Sequence, residues 1–304
     1  MKRRGEERMV PRVEFRSYYG QPVIKPPAWK SPDVPAYFFL GGLAGASATM
    51  AALAELTGRP RLAFAGYLTA GAGAAAGTGA LIHDLGRPAR FLNMLRMIKL
   101  TSPLSVGSWL LAGFSTLAGA AAASTVTGLL PGPAKAAKAG AAVLGPAMMT
   151  YPAVLVADTA VPAWHEAHRE LPFVFAGAGL ASGGALGMLA APPVEAGPAR
   201  AMAVVGSALE LAGETALRRH GLVAEPYHRG RAGRWFRAGR LLTAAGAVGT
   251  LLAGGHRRGA AACGLALLAG SLCTRFAVFE AGRTSARDPK YTVVPQRERL
   301  SGQS

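Results

Sequence analysis

Acidic side chains are scarce in this 304-residue chain: 16 Asp and Glu stand against 33 Lys and Arg, a formal net charge of +17. Cysteine is scarcer still. Cys263 and Cys273 are the only two, ten residues apart in one apolar stretch and far from any Cys-x-x-Cys spacing. Neither a disulfide nor an iron–sulfur cluster follows, and both are expected to pack as small apolar side chains. The histidines exclude another group. His165, His168, His220 and His228 fall in connectors, while His83 and His256 follow stretches that end at opposite membrane faces. No facing pair is left to hold a transmembrane b-type haem.

What the chain has is apolar length. Eight segments of roughly 20 residues carry almost no charge. They are 34–56, 62–82, 103–129, 139–161, 171–191, 199–217, 238–255 and 260–279. Each can cross a hydrocarbon core of about 30 Å at about 1.5 Å per residue. Soluble domains do not repeat such segments. The expected fold is therefore all-α and integral to a membrane, with eight transmembrane helices. The sixth segment is the most polar, because it carries Glu210 and Glu214 one turn apart. Pairing of either carboxylate with Arg275 in the eighth segment is the economical expectation, and a proton path through them is the alternative.

A net charge of this size would also suit nucleic acid, so its distribution decides. With connectors assigned alternately to the two sides, the side holding both termini has 25 Lys and Arg and the other has 7. Arg275 lies inside the last segment. This bias is the positive-inside signature and places both termini in the cytoplasm, across a cell (inner) membrane. Nucleic acid requires no such alternation and is set aside as a partner. The first 33 residues contain Lys2, Arg3, Arg4, Glu6 and Glu7 and no apolar run, so they do not read as a signal peptide.

Before the first segment runs an arm with Tyr18, Tyr19, Pro22, Pro26, Pro27 and Trp29. Its prolines forbid a regular helix and favour an extended path. The aromatics suit either the headgroup belt or the surface of a partner subunit. Inside the segments, Gly41 and Gly45, Gly73 and Gly77, and Gly179, Gly183 and Gly187 recur one turn apart, a pattern that lets helix backbones approach closely.

Polar groups collect on the side assigned to the cytoplasm. Tyr37 begins the first segment, His83 and Asp84 end the second, and Ser105, Ser108 and Trp109 open the third. Tyr151 and Asp158 lie in the fourth, with Trp164 and His165 just beyond. An ionisable or polar group at such depth is a functional-site hypothesis, because an unpaired one costs several kcal/mol in hydrocarbon. Asp158 could instead clamp two helices by pairing with Arg87 or Arg90. The Tyr151 phenol could bond a ligand carbonyl or a neighbouring backbone carbonyl.

Four blocks carry a resemblance. They are Tyr18-Tyr19-Gly20-Gln21-Pro22-Val23-Ile24-Lys25-Pro26-Pro27, Pro35-Ala36-Tyr37-Phe38-Phe39-Leu40-Gly41-Gly42, His83-Asp84-Leu85-Gly86-Arg87-Pro88, and Thr101-Ser102-Pro103-Leu104-Ser105-Val106-Gly107-Ser108-Trp109. Tyr151-Pro152-Ala153-Val154-Leu155 completes them. In these the chain resembles the NrfD-type (polysulfide reductase membrane subunit) family. The resemblance implies eight helices in two four-helix bundles, a quinone site in the first, and no prosthetic group in this chain. It implies menaquinone or ubiquinone as the exchangeable cofactor. A ferredoxin-like iron–sulfur subunit and a catalytic subunit, often a molybdopterin enzyme, are the implied partners.

On that reading the chain divides into a cytoplasmic arm (1–33), a quinone-site bundle (34–165), a second bundle (166–282) and a cytoplasmic tail (283–304). Tyr37, His83, Asp84 and Tyr151 match the family's quinone-site positions, with Arg87 and Ser105 beside them. His83, Asp84 and Asp158 are the candidates for proton exchange. Arg87 and Arg90 raise the local positive potential. Two rivals stand beside this reading: a small-molecule or ion transporter, and a structural anchor without quinone chemistry.

The orientation is testable by labelling. Single-cysteine variants at Ser17 and Ser301, in a background without Cys263 and Cys273, should react with a membrane-impermeant maleimide only after cells are permeabilised. Reaction in intact cells would reverse the assignment of sides.

Overall fold

Proline marks where the long helices begin. A residue without an N–H, with φ already near the helical value, fits the first turn, where that N–H has no intrahelical partner. In the computed structural model, which describes residues 23–301 with the side chains of 299–301 excepted, α2 (Pro60–Asp84), α4 (Pro103–Thr127) and α5 (Pro131–Ala157) each open on a proline. So do the short α6 (Pro162–His165), while α7 (Leu171–Ala190) and α8 (Gly197–Leu217) carry proline at the next position. The others are α1 (Asp33–Leu56), α3 (Ala89–Met94), α9 (Glu225–His228), α10 (Gly230–Ala253), α11 (Arg257–Arg287) and α12 (Lys290–Ser301). Among the described residues there is no strand.

Five of these helices, α1, α4, α5, α7 and α11, are long and apolar enough to cross a membrane. The protein is a helical membrane protein. Helix α1 packs on α2 and α5, and α4 packs on the same two, so the four close on one another. Helices α7, α8, α10 and α11 make a second set, with α7 against α8 and α11, and α10 against α11 and α8. The sets meet chiefly where α7 lies against α1 and α5.

Several helices outrun the apolar segments. Helix α5 starts eight residues before its segment, on the Ala- and Lys-rich stretch 131–138, and α10 starts at Gly230 rather than 238. Helix α11 continues to Arg287. Hydropathy locates only the part suited to hydrocarbon, whereas Ala, Lys and Arg extend a helix on propensity alone. At its other end α5 stops sooner than expected. Asp158 is its C-cap, not a residue one turn inside the span, and it is exposed. The Thr159 hydroxyl donates to the Val156 carbonyl at 2.6 Å and closes that end.

A close crossing joins α1 to α5. A Cβ added at Gly45 would come within 2.5 Å of the Gly145 carbonyl oxygen and 3.1 Å of Met149 Cγ. Small residues let the backbones touch, as in helix pairs that associate without a hydrophobic driving force. The same crossing solves a problem set by Pro146, which lies inside α5 and cannot donate to the Ala142 carbonyl. Thr49 of α1 supplies the missing donor, its hydroxyl bonding Ala142 O at 3.0 Å. Gly45→Val should therefore lower stability by at least about 1–3 kcal/mol through overpacking. Thermal unfolding of the purified protein in detergent would read this, and an unchanged midpoint would contradict the packing described.

Candidate functional site

The residues that end the arm, start α1 and end α2 enclose a cavity of about 780 Å3. Its walls are apolar where they face the bundle: Val34 and Phe38 from α1, Leu81 from α2, Leu104 from α4 and Leu155 from α5. Charge is confined to the edge, at Lys30, Asp84, Arg87 and Arg90. A pocket of this size, largely apolar with a few polar groups, is typical of sites for small organic ligands.

Two side-chain bonds hold the edge together across about fifty residues of chain. The Lys30 backbone N–H donates to Asp84 Oδ1 at 2.7 Å. His83 Nδ1 lies 2.8 Å from Asp33 Oδ2. Adjacent residues at the end of α2 thus grip the arm on one side and the first turn of α1 on the other. The arm is held further by Trp29, which lines the cavity and stacks on Trp164 with ring centroids 5.6 Å apart. Trp164 is itself fully buried and donates from Nε1 to the Val278 carbonyl at 2.8 Å. Tyr18 and Tyr19 lie outside the described residues. Ahead of α1, Trp29 docks on the chain's own bundle.

Tyr37 is the most informative group in the cavity. The residue is 3% exposed, yet its hydroxyl has no hydrogen-bond partner among the described residues. The ring is packed over Gly77, where a Cβ would stand 3.7 Å from Cδ2. Buried phenols normally find a partner. A hydroxyl left free on the wall of a cavity is positioned for an acceptor that arrives with a ligand.

The other expected residues divide. Asp84 and Arg87 line the cavity with Tyr37. His83 does not: its side chain is 78% exposed and turned to Asp33, so it faces neither Tyr151 nor Ser105. Ser105 is outside too. Its hydroxyl donates to the Met97 carbonyl at 3.1 Å and accepts from the Lys99 N–H at 3.0 Å. Trp109 Nε1 donates to the same carbonyl at 3.2 Å. The polar residues Ser105 and Trp109 of the Ser-Pro-x-Ser-x-Gly-Ser-Trp block thus fold the connector between α3 and α4, and the block meets the cavity only through Leu104.

Tyr151 has its partner already. Its hydroxyl donates to the Pro103 carbonyl at 2.6 Å, and its ring lies directly on Gly107, where any Cβ would collide with it. Of the two partners open to it in the sequence, the backbone carbonyl is the one it holds. Asp158, beyond the end of α5, forms no ion pair with Arg87 or Arg90 among the described residues. Sequence reasoning had no reason to single out Asp33 and Lys30. Their role depends on contacts with residues about fifty positions away.

A second polar cluster lies in the other half. Glu210, Glu214 and Arg275 are fully buried. The expected ion pair is not formed: no carboxylate lies within 4 Å of the guanidinium among the described residues. Arg275 instead donates from Nη2 to the Phe175 carbonyl at 2.8 Å and sits 3.9 Å over the Phe175 ring. The carboxylates accept long hydrogen bonds, Glu210 from Thr243 at 3.5 Å and Glu214 from Thr274 at 3.4 Å. Cys263 and Cys273 are free and buried.

The fold and the cavity define a helical membrane protein with an amphiphile-sized site at one end of its first four long helices. A family model described as Polysulphide reductase, NrfD matches residues 25–126. The NrfD-type resemblance carried by the motifs thus holds over the segment that supplies nearly all of the cavity wall. No curated protein matches the chain.

Proposed function

We propose that this protein is the quinone-reactive membrane subunit of a multi-subunit oxidoreductase, with menaquinone or ubiquinone bound in the cavity beside Tyr37. The observation that carries this reading is Tyr37, a buried residue on the cavity wall whose hydroxyl has no hydrogen-bond partner among the described residues. A quinone head presents carbonyl acceptors, and its isoprenoid tail suits lipid-facing apolar walls. When bound, it supplies the exchange of two electrons and two protons.

The chain's own residues do the rest. Tyr37 donates a hydrogen bond to one ring carbonyl and fixes the head. Asp84 is held by the Lys30 N–H at the mouth of the cavity, where a carboxylate can take up or release protons towards the aqueous face. Arg87 and Arg90 at the same mouth favour negative charge in the cavity and attract an acidic partner. His83 positions this edge through Asp33, while Ser105 and Tyr151 hold the connector and the first turn of α4 behind Leu104. Electrons would be exchanged with a ferredoxin-like iron–sulfur subunit joined to a molybdopterin-type catalytic subunit. The full reading has eight spans in two four-helix bundles and both termini in the cytoplasm, so the cavity opens on the cytoplasmic side.

The buried Glu210, Glu214 and Arg275 cluster favours a second reading as a transporter, since unpaired charge within spans marks ion pathways. That reading leaves the cavity and its free phenol unexplained.

Two phenols separate the site from its scaffold. Tyr37→Phe should weaken binding of a short-chain quinone analogue roughly twofold to tenfold, the value of one hydrogen bond of about 0.5–1.5 kcal/mol. Tyr151→Phe should leave that affinity unchanged while reducing thermal stability by about 1 kcal/mol, because Pro103 loses its donor. Equal affinities for wild type and Tyr37→Phe in a folded protein would defeat the assignment.

A further inference from the structure

Helix α1 carries a second polar group at its other end. Tyr37 and Glu55 are separated by roughly 27 Å at 1.5 Å per residue, so the two lie near opposite faces of a bilayer. Glu55, Tyr67 and Lys138 form a closed triad there. Glu55 accepts from the Tyr67 hydroxyl at 2.6 Å through Oε2 and from Lys138 Nζ at 2.9 Å through Oε1. Lys138 also lies 4.6 Å over the Tyr67 ring. The triad sits at one end of a groove of about 560 Å3 between α1 and α5. The groove's outer wall is apolar and open, with Leu53 58%, Leu56 83% and Val143 77% exposed.

The charge in the groove does not balance. Lys138 is neutralised by Glu55, but Lys135, one turn earlier on α5, also lines the groove and makes no ion pair or hydrogen bond among the described residues. One positive charge is left beside an apolar wall, on the side of the chain where only 7 Lys and Arg lie in total. A soluble anion would satisfy Lys135 and leave the wall unused. A quinone or a zwitterionic lipid would cover the wall but bring no net charge for the lysine.

We propose that this groove binds an anionic phospholipid of the surrounding bilayer. Its phosphodiester sits against Lys135 and the Lys138 ammonium, and an acyl chain lies along Leu53, Ala142 and Val143. The triad fixes Lys138, its ammonium held by Glu55 over the Tyr67 ring near the end of α1. The inference rests on α1 and α5 crossing the bilayer and not on the quinone assignment, which concerns the opposite end of α1.

The test uses the full chain, delipidated in detergent and titrated with phosphatidylglycerol or phosphatidylcholine, with bound lipid counted by native mass spectrometry. Wild type should retain phosphatidylglycerol preferentially. Lys135→Gln should lose about fivefold in affinity for it, the contribution of one lysine near an anionic headgroup. Lys135→Arg should keep wild-type affinity, and none of the variants should alter phosphatidylcholine binding or the affinity of the Tyr37 cavity for a quinone analogue. Equal retention of the two lipids by wild type would overturn the proposal. So would an unchanged Lys135→Gln, or displacement of the lipid by the quinone analogue with comparable affinity.

Discussion

Hydrocarbon offers a polar group nothing to bond, so each hydroxyl, carbonyl and charge in a membrane bundle must be satisfied by the protein itself or by a ligand. Much of this structure obeys that constraint through specific pairings. Thr49 serves the carbonyl orphaned by Pro146, Tyr151 bonds the Pro103 carbonyl, and the Trp164 indole reaches the Val278 carbonyl. Not every group is satisfied: Ser47 Oγ and atoms of Glu210, Glu214 and Arg275 are buried without a partner in the packed interior. The Tyr37 hydroxyl differs from these in lying on the wall of a cavity whose charged groups are gathered at one edge, and this conjunction gives the functional reading its weight.

The cavity depends in turn on close backbone packing. Helix α1 supplies Tyr37 at one end and Glu55 at the other, and its position is set by the crossing of Gly45 with Gly145. At the cavity edge, Lys30 to Asp84 and Asp33 to His83 bind the arm and the start of α1 to the end of α2. The acidic residue of each pair comes from a different element, so the edge closes only when both elements are in place. A displacement of α1 would therefore change the mouth of the cavity and the opposite groove together.

The apolar lengths made the helical membrane class legible, and the motif around Asp84 and Arg87 lies at one edge of the cavity. Sequence could not show which way a side chain turns. His83 and Asp84 are neighbours, yet one meets Asp33 in the open and the other lines the cavity, because successive residues on a helix point about 100° apart. Ser105 and Tyr151 looked like ligand contacts because they are polar residues near a membrane face. Their partners are backbone carbonyls, at Met97 in a connector and at Pro103 in the first turn of α4. Asp158 was misplaced for a simpler reason: apolar residues run on past the point where α5 ends.

The central claim is that a quinone head occupies the space beside Tyr37, and covalent mapping tests it most directly. The purified protein would be illuminated with a photoreactive azido-quinone, digested, and its labelled peptides identified, with excess unmodified quinone as competitor. The account predicts competable labelling confined to residues 28–38 and 81–94 and the neighbourhoods of Leu104 and Leu155, which border the cavity. Labelling that competes equally well but falls on α7 to α11, or labelling that no excess of quinone suppresses, would contradict it.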